Sequence, residues 1–245
     1  MASCAASDAC RMGHERGIVT AARSWFALLM SQDRQRWAQL AAQLDLTFSP
    51  GVRGMLESKI AGRIAAQRGQ DPDQIASVMN NPLVMGVLER VFLGVVKGPY
   101  RDHEFFIYRN NRSQSSTASA SYSVHVHLFF PESAEIGLSI YRERFWSKVG
   151  KLLGAQDIQS GNAELDPLVM IKAGVPQRAQ HLLGNHSVQQ TLLELFQDSE
   201  NFEVDDNGIE HRTYGAEFLA AGELRPLMDR MVDAAEIIWP VLKDC

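Results

Sequence analysis

Residues 121–130, SYSVHVHLFF, form the stretch that decides the fold class. Val124, Val126 and Leu128 alternate with polar residues, and a period of two is typical of a β-strand with one apolar face. Pro131 then breaks the run. The stretch therefore predicts a strand within a sheet.

Other segments of the middle third have the composition of strands. They are residues 91–97, 103–108 and 135–141. The first is expected to end at Gly98-Pro99, and residues 110–119, dense in Asn and Ser, are expected to form a long polar loop before the central strand. Together with residues 121–130, these segments predict an antiparallel meander.

A second strand group is predicted further along the chain. Residues 202–206 and 209–213 flank Asn207-Gly208, a dipeptide that favours the two positive φ angles of a type I′ turn. Residues 168–172 form a short apolar run that suits a buried strand. The sequence therefore predicts a later hairpin and one further strand.

Helices are predicted on both sides of these strands, because apolar residues recur there at spacings of three and four. The predicted helices are residues 25–46, 176–183, 187–196 and 223–242. Gly184-Asn185 is expected to end the second helix, Ser187 to cap the third, and Ser49-Pro50-Gly51 to be a stop signal. Residues 56–68 suit a helix or a strand, and Asp71-Pro72 indicates a helix start.

The predicted fold class is α+β. A mostly antiparallel sheet, made of the central meander and the later hairpin, is covered by the N-terminal and C-terminal amphipathic helices. Residues 1–20 are expected to be a disordered or frayed lead-in, and residues 21–245 a single domain. A length of 245 residues also allows two small domains, with a subdivision near residues 143–150.

The composition is that of a soluble globular protein, with 45% hydrophobic and 22% charged residues. A net charge of −5 gives no basic field for nucleic acid or anionic lipid, so neither is an expected partner. The sequence shows no apolar stretch of membrane-spanning length and no secretory signal pattern, which predicts a cytoplasmic protein. Cys4, Cys10 and Cys245 have no metal-binding or disulfide spacing.

His125 and His127 are the candidate metal ligands. Residues two apart on a strand point to the same side, where both imidazoles can bind one ion. Catalytic zinc needs a third protein ligand, and His103 on the preceding predicted strand is the candidate. The alternation of polar and apolar residues is equally typical of a strand with one solvated face, and this second interpretation is favoured.

Asp157 and Asp166 are the candidate catalytic carboxylates, because a pair of acidic groups can perform acid–base chemistry. They flank Gly161-Asn162, however, and acidic residues in such surroundings more often cap turns. The sequence contains no Gly-rich nucleotide loop and no nucleophile or zinc-protease signature, so no cofactor is predicted.

The segment GAQDIQSGNAELD, residues 154–166, is preceded by a predicted helix at residues 145–153 and followed by Ile171-Lys172. In its GxxDIQxGxxxxD pattern and the acidic hairpin that follows, the chain resembles a family of uncharacterised bacterial hypothetical proteins over residues 135–240. The resemblance implies a bacterial origin and a shared scaffold. It implies no activity and no catalytic residue.

The function favoured by the sequence is a non-catalytic binding or assembly module with a protein partner or as a homo-oligomer. This hypothesis depends on the absence of a complete catalytic set in the sequence. The alternative is a metal-dependent hydrolase, with His125, His127 and His103 as ligands and Asp157 or Asp166 as the acid–base group.

Overall fold

The structure is a computed structural model. It describes residues 31–51, 94–112, 121–142, 158–199, 201–215 and 218–245. Several features predicted from the sequence lie outside these residues: the lead-in at 1–20, the segment at 56–68, the helix start at Asp71-Pro72, most of the loop at 110–119, the subdivision near 143–150 and the helix that ends at 153. No helix within the described ranges is both long and apolar enough to cross a membrane.

Within the described residues, eight strands form one sheet. They are β1 (Thr47–Pro50), β2 (Gly94–Tyr100), β3 (His103–Arg112), β4 (Ser121–Phe129), β5 (Ser139–Arg142), β6 (Val169–Lys172), β7 (Phe202–Asp205) and β8 (Gly208–Tyr214). Their order is β1-β2-β3-β4-β8-β7-β5-β6, and all of the pairs are antiparallel. The prediction of an α+β protein with an antiparallel sheet is confirmed.

The described residues contain four helices. They are α1, described over residues 31–43, α2 (Pro176–Leu183), α3 (His186–Asp198) and α4 (Ala221–Lys243). Pro176 occupies the first turn of α2, where its missing N–H costs nothing. Glu223 accepts a hydrogen bond from the Ala220 N–H at 2.8 Å and so satisfies one free donor at the start of α4. The predicted terminal helices are confirmed over the described residues.

The two faces of the sheet have different surroundings. On the face that we call the helix face, alternate strand residues share one core with the helices; this core includes Val96, Phe105, Ile107, Val126, Leu128, Trp37, Phe196, Met231 and Ile238. The other face, which we call the second face, carries a smaller buried cluster of Val95, Phe106, Tyr108 and Phe129. Ser123 and His125 on this face are also buried. The face predicted to be solvated is therefore largely shielded from water where these residues lie.

The pairing of β4 with β8 joins the central meander to the later hairpin. Residues 130–207 lie between the two strands in sequence, and β5, β6 and β7 extend the sheet beyond β8. The backbone of β4 approaches the start of β8 so closely that position 208 requires a glycine. A Cβ there would lie 2.0 Å from the carbonyl oxygen of Leu128. This contact fixes the register in which β8 meets β4.

Strands β1 and β2 differ from the prediction. Thr47–Pro50, expected to contain a stop signal, is an edge strand, and an edge tolerates a proline because its missing N–H removes no ladder bond. Strand β2 continues through Gly98-Pro99 to Tyr100. The chain reverses instead at Arg101-Asp102, whose φ angles of 48° and 64° suit a two-residue hairpin turn.

The later hairpin is present, but its turn lies one residue earlier than predicted. Asp205 pairs with Gly208, so the loop residues are Asp206 and Asn207. Neither has a positive φ angle, and the type I′ prediction at this position is wrong. Asp205 organises the turn by accepting hydrogen bonds from the N–H groups of Asn207 and Gly208 at 2.7 and 3.1 Å.

The N-cap of α3 lies two residues before the predicted one, Ser187. The helix begins at His186, and the side chain of Asn185 accepts hydrogen bonds from the N–H groups of Ser187 and Val188. Asn185 is therefore the N-cap, whereas Ser187 lies within the first turn.

Candidate metal site

Strands β4 and β8 bring three metal-ligating side chains together on the second face. His125 and His127 project from β4, as their spacing of two predicts. Glu210 of β8 lies directly opposite His127 in the register. The ligand atoms of all three side chains lie within 4.8 Å of one another.

Glu210 Oε1 is the centre of the cluster. It lies 2.7 Å from His125 Nδ1 and 3.3 Å from His127 Nε2. The three side chains are only 11%, 17% and 13% exposed, for His125, His127 and Glu210 respectively. The cluster is therefore a partly buried site in which each interaction is stronger than it would be in water.

Two further residues orient the imidazoles. Ser123 Oγ lies 2.9 Å from His125 Nε2, so it can accept a hydrogen bond from that nitrogen while Nδ1 faces Glu210. Tyr108 stacks on both rings, with centroid distances of 4.8 Å to His125 and 5.6 Å to His127. Its hydroxyl lies 3.4 Å from His127 Nε2. Ser123 thus holds His125 through the ring nitrogen that faces away from Glu210, which is the usual arrangement behind a metal ligand, whereas the Tyr108 hydroxyl faces the same nitrogen of His127 that faces Glu210.

Arg212 balances the charge of Glu210. Its Nε donates to Glu210 Oε1 at 2.7 Å, and its Nη2 contacts both Glu210 Oε2 and, at 2.7 Å, Glu203 Oε2. Burial alone raises the pKa of Glu210, but hydrogen bonds from Arg212 and the two histidines outweigh burial and lower it well below its usual value. Glu210 is therefore ionised and can bind a cation.

The two separations that involve Glu210 are close to those between neighbouring ligands of a zinc-class ion. Zinc–ligand bonds of about 2.0–2.1 Å in a tetrahedron place neighbouring ligand atoms about 3.4 Å apart. The separation of 3.3 Å between His127 Nε2 and Glu210 Oε1 matches this value, and the 2.7 Å hydrogen bond from His125 needs to open by less than 1 Å. Two nitrogens and one carboxylate form a ligand set that zinc accepts at catalytic sites.

The remaining predicted site residues lie elsewhere. His103 is on the helix face, where its Nε2 is 3.9 Å from Glu236 Oε1 of α4, so Glu210 takes the place next to the pair that was expected for His103. The carboxylate of Asp166 accepts hydrogen bonds from Ser160 N, Ser160 Oγ and Gly161 N at 2.7, 2.6 and 3.2 Å, as a turn-capping residue does. Asp157 lies outside the described residues.

Sequence reasoning missed Glu210, although a weak signal was present. Glu210 and Arg212 are spaced by two in a predicted strand, as the histidines are, so each pair shares one side of its strand. Nothing local in the sequence shows that this strand lies beside the histidine strand, because residues 130–207 separate them.

No protein-family model, no curated protein and no solved structure matches this chain. The resemblance at residues 135–240 accordingly stays a prediction. Function is inferred from the geometry of the site.

Proposed function

We propose that this protein binds a divalent transition-metal ion, with zinc as the preferred ion, through His125, His127 and Glu210. The observation that carries the proposal is the convergence of two imidazole nitrogens on one ionised carboxylate oxygen, at 2.7 and 3.3 Å. Such a set is chemically suited to zinc and its neighbours, whereas calcium and magnesium prefer oxygen ligands. The proposal gives a ligand class to the binding-module hypothesis.

A hydrolytic use of the ion is the second candidate function. The observation that favours it is the number of protein ligands: three side chains leave a fourth position for water or substrate, as in catalytic zinc sites, whereas structural sites are usually closed by four. Zinc lowers the pKa of a bound water toward neutrality and so supplies hydroxide for attack on a carbonyl or phosphoryl group. Ser123 and Tyr108 would then hold the imidazoles in place during turnover.

Metal binding by the full-length protein tests the proposal directly. Protein stripped with a chelator is titrated with Zn²⁺ by calorimetry, and with Co²⁺ while the visible absorption is recorded, since tetrahedral Co²⁺ absorbs strongly. We expect one ion per chain and a tetrahedral Co²⁺ spectrum. His127→Gln removes one ligand and should abolish stoichiometric binding.

The matched control is His103→Gln, which removes a histidine from the adjacent strand but on the opposite face of the sheet. It should bind metal as the unmodified protein does. Circular dichroism verifies that both variants are folded. Equal binding by the two variants, or the absence of stoichiometric binding by the unmodified protein, would contradict the proposal.

A further inference from the structure

We infer that Arg212 is an internal counter-ion that the metal ion must displace from Glu210, and that this exchange weakens and thereby tunes metal binding. The inference rests on the proposed function. It concerns how the affinity of the same site is set, and its test separates the two ideas.

Arg212 contacts the same oxygen of Glu210 that the histidines face. Its Nε donates to Glu210 Oε1, the same atom that both histidines face. A guanidinium that contacted only the far oxygen of a metal-binding carboxylate would support the ligand. Arg212 instead donates to the ligand atom itself. Oε1 already accepts from Nε and lies 2.7 Å from His125 Nδ1, so a metal ion competes with Nε for the lone pairs of this oxygen.

Arg212 has a second carboxylate partner, Glu203, with which it can stay hydrogen-bonded. Glu203 of β7 lies directly opposite Glu210 of β8, and Arg212 Nη2 bridges the two carboxylates. When an ion takes Oε1, Nη2 can keep Glu203 while Nε turns to water, since the Arg212 side chain is 34% exposed. The exchange therefore requires a side-chain adjustment and leaves no charge buried without a partner.

The positive charge of Arg212 opposes the binding of a cation at Glu210. Arginine stays protonated under all ordinary conditions, so a positive charge remains beside the bound divalent cation and repels it. Glu203, Glu210 and Arg212 contact one another, and this group carries a net charge of −1 with Arg212 and −2 without it when both carboxylates are ionised. Removing the guanidinium raises the attraction for a cation and frees Oε1 at the same time.

The test compares Zn²⁺ affinity in full-length variants by competition with a chromophoric chelator. Arg212→Gln should bind Zn²⁺ at least about tenfold more tightly than the unmodified protein, equivalent to about 1.4 kcal/mol or more. Arg109→Gln is the matched control, because it also removes a largely buried, ion-paired arginine, one that pairs with Asp33 of α1. It should leave the affinity unchanged.

A second variant gives the opposite sign and covers the case in which Arg212→Gln does not fold. Glu203→Gln removes the alternative partner of Arg212, which then stays on Glu210, so Zn²⁺ binding should weaken by about tenfold. Thermal unfolding without metal verifies that each variant is folded.

The outcomes distinguish the two proposals. If the unmodified protein does not bind Zn²⁺ stoichiometrically, the proposed function fails, and the role assigned to Arg212 fails with it. If the unmodified protein binds but Arg212→Gln binds equally or more weakly, or Glu203→Gln binds more tightly, the metal site stands and the role assigned to Arg212 is wrong.

Discussion

Replacing Asp205 by Asn should stabilise the protein at neutral pH. Asp205 lies at the end of β7 on the second face, and burial, with a smaller contribution from Glu203, raises its pKa from 3.8 to about 6. Asn keeps the side-chain oxygen that accepts hydrogen bonds from the N–H groups of Asn207 and Gly208. It removes the negative charge of this partly buried side chain.

The magnitude and the pH window follow from proton linkage. Between pH 3.8 and about 6 the folded state keeps a proton on Asp205 that the unfolded chain releases, so folding stability falls as the pH rises through this window. Two pKa units correspond to about 3 kcal/mol at 1.36 kcal/mol per unit. We therefore expect Asp205→Asn to gain about 2–3 kcal/mol at pH 7 and almost nothing at pH 3.5.

Urea unfolding of metal-free protein between pH 3.5 and 8 measures this difference. The neighbouring Asp206→Asn is the control with the opposite expectation: the two oxygens of Asp206 accept from Gly137 N and Leu138 N at 2.7 and 3.0 Å, and an amide loses one of these bonds. It should destabilise by about 1 kcal/mol or more. A pH-independent effect of Asp205→Asn, or a loss of stability at pH 7, would refute the reasoning.

Two structural predictions concern the scaffold. Gly208→Ala places a methyl group 2.0 Å from the Leu128 carbonyl oxygen, so it should cost about 3 kcal/mol or more in thermal unfolding, and a loss below 1 kcal/mol would contradict the assigned β4–β8 contact. Asn185→Ala removes the cap of α3 and should cost about 1 kcal/mol in urea unfolding, whereas Asn185→Ser should cost much less because it retains an acceptor. Equal losses in the two Asn185 variants would argue against capping.

The elements with strong local patterns could be predicted from the sequence. Residues 123–128 alternate between polar and apolar and lie within β4, and residues 176–183 are the helix that their periodicity predicts. Thr47–Pro50 escaped prediction because a four-residue edge strand is defined by its partner β2 rather than by its own composition. The hairpin at Phe202–Tyr214 was identifiable, but its turn moved because the approach of Leu128 places Gly208 in the strand.

The candidate site was only half predictable. Spacing alone puts His125 and His127 on one side of a strand. Their partner Glu210 depends on which strands are neighbours, and a sequence with residues 130–207 between the two strands does not contain that information locally. His103 lies on the strand that precedes the histidine pair in sequence, but the alternation of residues along β3 places its side chain on the helix face.

The pairing of β4 with β8 affects the order in which the chain folds. Contacts between residues so far apart in sequence carry a high loop-closure cost and tend to form slowly. His125 and His127 are near each other as soon as one strand extends, but Glu210 joins them only when the two strands meet. An ion that needs all three groups would thus be captured at the end of folding, and its main kinetic effect would be to slow unfolding.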